Sequence, residues 1–256
     1  LAGKVFLEGE GRANLSTGAL AVTAEVTGSD LAVGIVEVDR LLRGQSRVST
    51  DLSRSEAGVW SIAQLDAHSP ELDVKVKDSA TGQTGQLSAE ASLRDIGLLV
   101  EGLNGRAGFK GHFVPDNGDW QVIGDATGPA GTRAEITGRF AEDGQNNALS
   151  IHGSAPLALV NPFVKPQSLA GQVGFDLNLN GPLSLSSVSG VVDTNGAQLT
   201  IPEQRLSLSA IVANVRLSAG QANVNMKANV SETFVCFGQH AMGKPIIPLQ
   251  IRTTMN

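Results

Sequence analysis

Tyrosine is absent from this 256-residue chain, tryptophan occurs twice, and aromatic residues make up only 4% of it. A transmembrane β-barrel uses aromatic girdles where it meets the two membrane surfaces, so the scarcity weighs against one. It weighs equally against a carbohydrate-binding sandwich built on stacking platforms. Cysteine occurs once, at Cys236, which excludes an internal disulfide. So little cysteine suits a bacterial envelope and suits a cytoplasm as well. Charged residues are 17%, below the roughly 25% usual in soluble domains. The net charge of −6 lacks the basic footprint of a nucleic-acid binder, so no nucleic-acid partner is expected. No apolar run reaches the ~18 residues of a membrane-spanning helix. No secretory leader is visible and Leu1 stands where a methionine would open a gene product, so the chain is expected to be a piece of a longer one.

Glycine, serine, threonine and asparagine fill the space left by charge, and they fall between alternating apolar residues. The clearest case runs from Leu169 to Val230. Phe175, Leu177 and Leu179 alternate with Asp176, Asn178 and Asn180; Leu199 and Ile201 precede Pro202; Leu206 and Leu208 resume the pattern. Val224, Met226, Ala228 and Val230 then alternate with Asn225, Lys227 and Asn229. A period of two puts one set on each face of a strand. The wet face carries amides and hydroxyls, so these strands are not buried on both sides. Asp193-Thr194-Asn195-Gly196 reads as a turn within the stretch.

The pattern extends to the rest of the chain. Leu20 to Thr27, Val48 to Leu52, Leu72 to Lys77, Leu87 to Arg94 and Ala134 to Phe140 alternate in the same way. Asn104-Gly105 and Asp116-Asn117-Gly118-Asp119 are hairpin signals, because Asn and Gly tolerate positive φ. Leu31 to Leu42 reads as a strand passing into a helical turn, and Ile96 to Leu103 as a connector or short helix. Pro156 to Pro166, with three prolines, reads as neither regular strand nor helix. Turn signals recur every ~10 to 12 residues and delimit about twenty runs, the pattern of an all-β fold. The expected architecture is all-β: an elongated, curled, antiparallel-rich sheet, a U-shaped trough with a continuous apolar inner face. The expected divisions are a repetitive β segment over 1–155, a Pro-rich connector over 156–168 and a final β segment over 169–256.

Catalytic and metal-binding patterns are missing. His68, His112, His152 and His240 stand at no metal-ligand spacing with one another or with Cys236. There is no Gly-x-Ser-x-Gly elbow and no phosphate-cradling loop. Asp116 to Asp119 lacks the flanking acids of a calcium loop, so a plain hairpin is the better reading. Asp66 with His68 suggests a dyad without a marked nucleophile. No enzyme activity, cofactor or metal is expected.

Several stretches resemble the C-terminal region of the TamB family, the inner-membrane-anchored subunits of the bacterial translocation and assembly module. They are Ala155-Pro156-Leu157 with Asn161-Pro162-Phe163, Ser168-Leu169-Ala170-Gly171, Asn180-Gly181-Pro182-Leu183, Ser189-Gly190-Val191, Gly196-Ala197-Gln198-Leu199 with Pro202, and Leu217-Ser218-Ala219-Gly220-Gln221-Ala222. The likeness covers the span from Ala155 to Val230 and, by texture, what precedes it. It departs over 231–248, where the composition changes around Cys236; Leu249-Gln250-Ile251-Arg252 then reads as a return to strand. The family belongs to the AsmA-like, bridge-type lipid transfer proteins. The resemblance implies a β-taco lined with aliphatic side chains, set in the periplasm and anchored to the inner membrane in the full-length protein. It implies phospholipid passage between inner and outer membrane, support of outer-membrane protein assembly, and an Omp85-class, TamA-like barrel as partner, with membranes at both ends.

Weighing the two lines together, the expected groove lining is Phe175, Leu177, Leu179, Leu199, Ile201, Leu206, Leu208, Val224, Met226 and Val230, with phospholipid acyl chains as ligand. The rival is a β-solenoid or sandwich adhesin of the bacterial surface with a filled interior.

Overall fold

The computed structural model describes residues 2–32, 34, 36–57, 60–78, 85–218, 220–232 and 247–255. The chain forms two compact units, Leu1–Pro129 and Ala130–Asn256. Both are antiparallel sheets whose order stays open, with no first strand paired to a last among the described residues.

The first unit holds β1 (Ala2–Ala13), β2 (Leu20–Ala32), β3 (Gln45–Arg54), β4 (Trp60–His68), β5 (Leu72–Asp78), β6 (Leu87–Leu93), β7 (Ala107–Asp116) and β8 (Asp119–Thr127). Each pairs with the next. The registers line up the alternating residues: Val26, Val48, Ala67, Val74, Ala91 and Phe109 stand opposite one another in one row. The adjacent row, on the other face, reads Arg47, His68, Asp73 and Ser92. Each well-matched cross-strand pair contributes about 0.2–1 kcal/mol, so a register slip by one residue would forfeit a whole row. Asn117 (φ 51°) and Gly118 (φ 95°) turn β7 into β8, as the sequence predicts. In the ambiguous segments, β2 ends at Ala32 and Val36–Leu41 form helix α1, while Ile96–Leu98 is one 3-10 turn.

The second unit holds β9 (Arg133–Phe140), β10 (Asn147–Pro156), β11 (Ser168–Ala170), β12 (Gln172–Gly181), β13 (Val188–Ile201), β14 (Leu206–Ser218), β15 (Gln221–Glu232) and β16 (Ile247–Met255). The Pro-rich stretch is an excursion within this sheet. It leaves β10 at Pro156 and rejoins at Gln172, which faces Pro156 across the ladder. Between them, Leu157–Phe163 wind as 3-10 turns around Pro162, where irregular chain was expected. β11 then extends the sheet by pairing with Gln198 to Thr200 of β13. Asn161 fixes the excursion: its side chain accepts from Leu169 N at 2.7 Å and donates to Leu169 O at 3.1 Å.

Two sequence expectations are corrected. Asp193 to Gly196 is not a turn; it lies inside β13 and forms a bulge in the register between Asn195 and Ala197. Gly196 takes φ 82° there, the left-handed geometry that a turn would also have needed. Asn104-Gly105 closes no tight hairpin; it ends the connector before β7, where Gly105 N donates to the Asp95 carboxylate at 3.0 Å. The departing segment around Cys236 lies outside the described residues, as does His240. The return to strand at Leu249 is seen as β16, paired with β15.

Candidate functional site

The bulges decide which side chains share a face. β13 carries Val188, Val192 and Thr194 on even positions, then Ala197, Leu199 and Ile201 on odd ones; the extra residue at Gly196 absorbs the change. β14 makes the matching change at Ala210, which has φ 49°. β15 runs through without a break in its own alternation, so Val224, Met226, Ala228 and Val230 mark one face from end to end.

On that face the expected lining residues fall into two sets. Phe175 stands opposite Gly153 and Val192, and Val192 continues to Val215 and Val224. Leu177 stands between Ile151 and Gly190, and Leu179 beside Leu149 and Val188. Phe175, Leu177 and Val224 are half-buried, and Leu179 is buried. Their polar neighbours Asp176, Asn178, Asn223 and Asn225 are exposed. The second set is packed more tightly. Leu208 is buried with Ala197, Ile211 and Ala228, and Leu199, Leu206, Met226 and Val230 pack against this cluster. Ile201 stands opposite Leu206 at its border. Leu157, from the 3-10 excursion, packs on the same cluster. Sequence reading missed Leu157 and Ile211 as partners of this set. The resemblance motif ending at Leu157 was the available signal for the first, and the parity change in β14 for the second.

Enclosure is slight elsewhere. No large side chain among the described residues is fully buried, and Val5, Phe6 and Leu7 of β1 are 63–67% exposed. Among the described residues, the faces opposite the apolar rows bring no catalytic cluster together. His68 meets Asp73, its cross-strand partner, rather than forming a dyad with Asp66, whose carboxylate takes the Gln64 amide. No group of three metal-ligating side chains occurs among the described residues. The Asp116 carboxylate accepts from Asn117 Nδ2 at 2.9 Å and Gln121 Nε2 at 3.0 Å, bonds internal to the hairpin. An open concavity of about 700 Å³ borders Lys4, Phe6, Ser29, Gln45, Arg47 and His68. Arg47 there is 3.1 Å from Glu25, and His68 is engaged by Asp73, which dilutes any pull on an anion.

Among the described residues, two carboxylates lie below the ordinary aspartate range, and both cap loops. Asp95 is lowered by the amides of Gly97 and Gly105, and Asp143 by the amides of Gln145 and Asn146 with help from the Asn146 side chain. Neither sits among the apolar rows. No protein-family model, curated protein or solved structure matches the chain.

Proposed function

We propose that this chain binds phospholipids by their acyl tails and passes them along its apolar sheet face, without chemistry. One observation carries the reading. Phe175, Leu177, Val192, Val215 and Val224 are registered into rows on one face yet are half-buried rather than enclosed. A sandwich adhesin would bury such residues against a second layer. A hydrocarbon tail laid on the rows gains about 0.8 kcal/mol per buried CH₂ and needs no polar recognition group. Exposed polar residues on the opposite face let the same strands meet water.

The resemblance to the C-terminal region of the TamB family supports the setting. In this reading the chain works in the periplasm as part of an inner-membrane-anchored protein. It hands phospholipid toward an outer membrane through an Omp85-class barrel and supports outer-membrane protein assembly. The test is direct. The purified chain is exposed to a phospholipid with a fluorescent acyl tail, re-isolated and scored for bound lipid. Retention of lipid that unlabelled phospholipid displaces is expected; a chain that emerges free of lipid refutes the reading and favours the adhesin.

A further inference from the structure

We propose, resting on the acyl-tail reading above, that the excursion between β10 and β12 is a stop. It confines bound tails to the first set of apolar residues, with Leu157 seated where a tail would otherwise lie on the second.

The same two strands carry both sets. β13 bears Val192 and Leu199, and β14 bears Val215 and Leu208 opposite them. At about 3.3 Å per residue, Val192 and Leu199 stand roughly 20 Å apart along β13. Val192 and Val215 are half-buried. Past the bulges, Ala197 is 1% exposed, Ile211 3% and Leu208 4%. Ladder neighbours do not make this difference, because both sets have apolar partners on either side. Val192 lies between Phe175 and Val215, and Val215 between Val192 and Val224. Leu199 lies between Leu169 and Leu208, and Leu208 between Leu199 and Val230. What the second set has in addition is Leu157, which comes from outside the ladder and packs on the cluster of Ala197, Leu208, Ile211 and Ala228.

The excursion is held where it does this. Leu157 N donates to Gly171 O at 2.9 Å, joining the point where the chain leaves the sheet to the point where it returns. Asn161 clasps the backbone of Leu169, and Leu169 stands opposite Leu199. Gly171 lies against Ala197, so closely that a Cβ would stand 3.0 Å from Ala197 Cα, and its φ of 121° suits glycine. A tail entering the second set would have to displace Leu157. The apolar area gained by the tail would be offset by the area Leu157 exposes. The first set has no such occupant, so tails settle there.

The experiment uses the 256-residue chain with Cys236→Ser and one new cysteine at a time: Val192→Cys or Val215→Cys in the open set, Leu199→Cys or Leu208→Cys in the covered one. Reaction with N-ethylmaleimide, which follows thiol exposure, is timed with and without phosphatidylcholine vesicles. Phospholipid should slow the reaction at 192 and 215 at least fivefold. Positions 199 and 208 should react at least tenfold more slowly from the start and show no effect of lipid. Leu157→Ala and Asn161→Ala, with the β-type circular dichroism spectrum kept, should each raise reaction at 199 and 208 at least fivefold and bring both under phospholipid protection. Equal protection at all four positions in the parent overturns the stop and leaves the acyl-tail reading standing. So does a failure of both folded variants to open 199 and 208. Protection at none of the four positions overturns the acyl-tail reading, and the stop falls with it. Should both variants lose their fold, the comparison of the four positions in the parent decides.

Discussion

The ring of Phe175 lies over Gly153, its partner across the β10–β12 ladder, so closely that a Cβ on that glycine would sit 2.6 Å from the ring's Cζ. The first unit repeats the device: Phe109 covers Gly111 and Gly124, where an added Cβ would meet ring carbon at 2.7 Å. A phenylalanine folded flat over a glycine fills the gap left by the missing side chain and keeps the surface low. Gly153→Ala would also press a Cβ to 2.3 Å from the Arg133 carbonyl, and Gly124→Ala to 2.8 Å from the Lys110 carbonyl. Each is expected to cost about 1–3 kcal/mol in urea unfolding. Phe175→Leu combined with Gly153→Ala should cost less than the sum of the two, because the smaller side chain frees part of the space.

Asn147 is 2% exposed and serves three backbone groups. Its Oδ1 accepts from Ala141 N at 3.1 Å; its Nδ2 donates to Gly144 O at 2.9 Å and Gly181 O at 3.0 Å. The side chain therefore ties the β9–β10 connection to the end of β12. Asn147→Ala strands these groups, at about 1–3 kcal/mol for each one left buried without a partner. Denaturant unfolding monitored by circular dichroism would show the midpoint fall with an unchanged slope.

Asp95 predicts a local pH dependence. The amides of Gly97 and Gly105 hold its carboxyl below the usual aspartate value. A depressed folded-state value contributes stability above the unfolded value, and that contribution is lost as pH falls through the folded one. Protection of the Gly97 and Gly105 amides from hydrogen exchange should thus decline on acidification past the ordinary aspartate range. Asp95→Asn, whose Oδ1 still accepts but does not titrate, should flatten that acid step.

These elements show what the sequence carries and what it leaves to the fold. Alternation identified the strands because one face of each pairs apolar with apolar, as Phe175 does with Val192 and Leu177 with Ile151. The count of about twenty runs exceeds the sixteen strands among the described residues, partly because bulged strands read as two. β13 is the example: its parity changes at Gly196, and positive φ at a glycine looks the same in a bulge and in a turn. The Asn104-Gly105 signal misled for a related reason, since Asp95 recruits Gly105 from ten residues away. The division at Pro129 was not read from the sequence, because the period-two alternation continues on both sides of it. The Leu157 contact depends on where β11 carries the chain, which no local pattern encodes.

Charge placed on the apolar rows should abolish tail binding while the sheet survives. Leu177→Asp and Val224→Asp each put a carboxylate among half-buried aliphatic neighbours. Both are expected to lose fluorescent-lipid retention at least tenfold with the β-type circular dichroism spectrum kept. Asn178→Asp, on the exposed opposite face, should bind as the parent does. Equal retention by Leu177→Asp and Asn178→Asp would remove the rows from the binding surface.

The most direct measurement places a photo-crosslinking amino acid at one position at a time and loads the chain with radiolabelled phospholipid. Label is expected at positions 175, 177 and 224 and not at positions 176, 178 and 223, whose side chains share the same strands but are exposed on the other face. Label distributed equally over both sets, or confined to the polar set, would contradict an apolar sheet face that carries acyl chains.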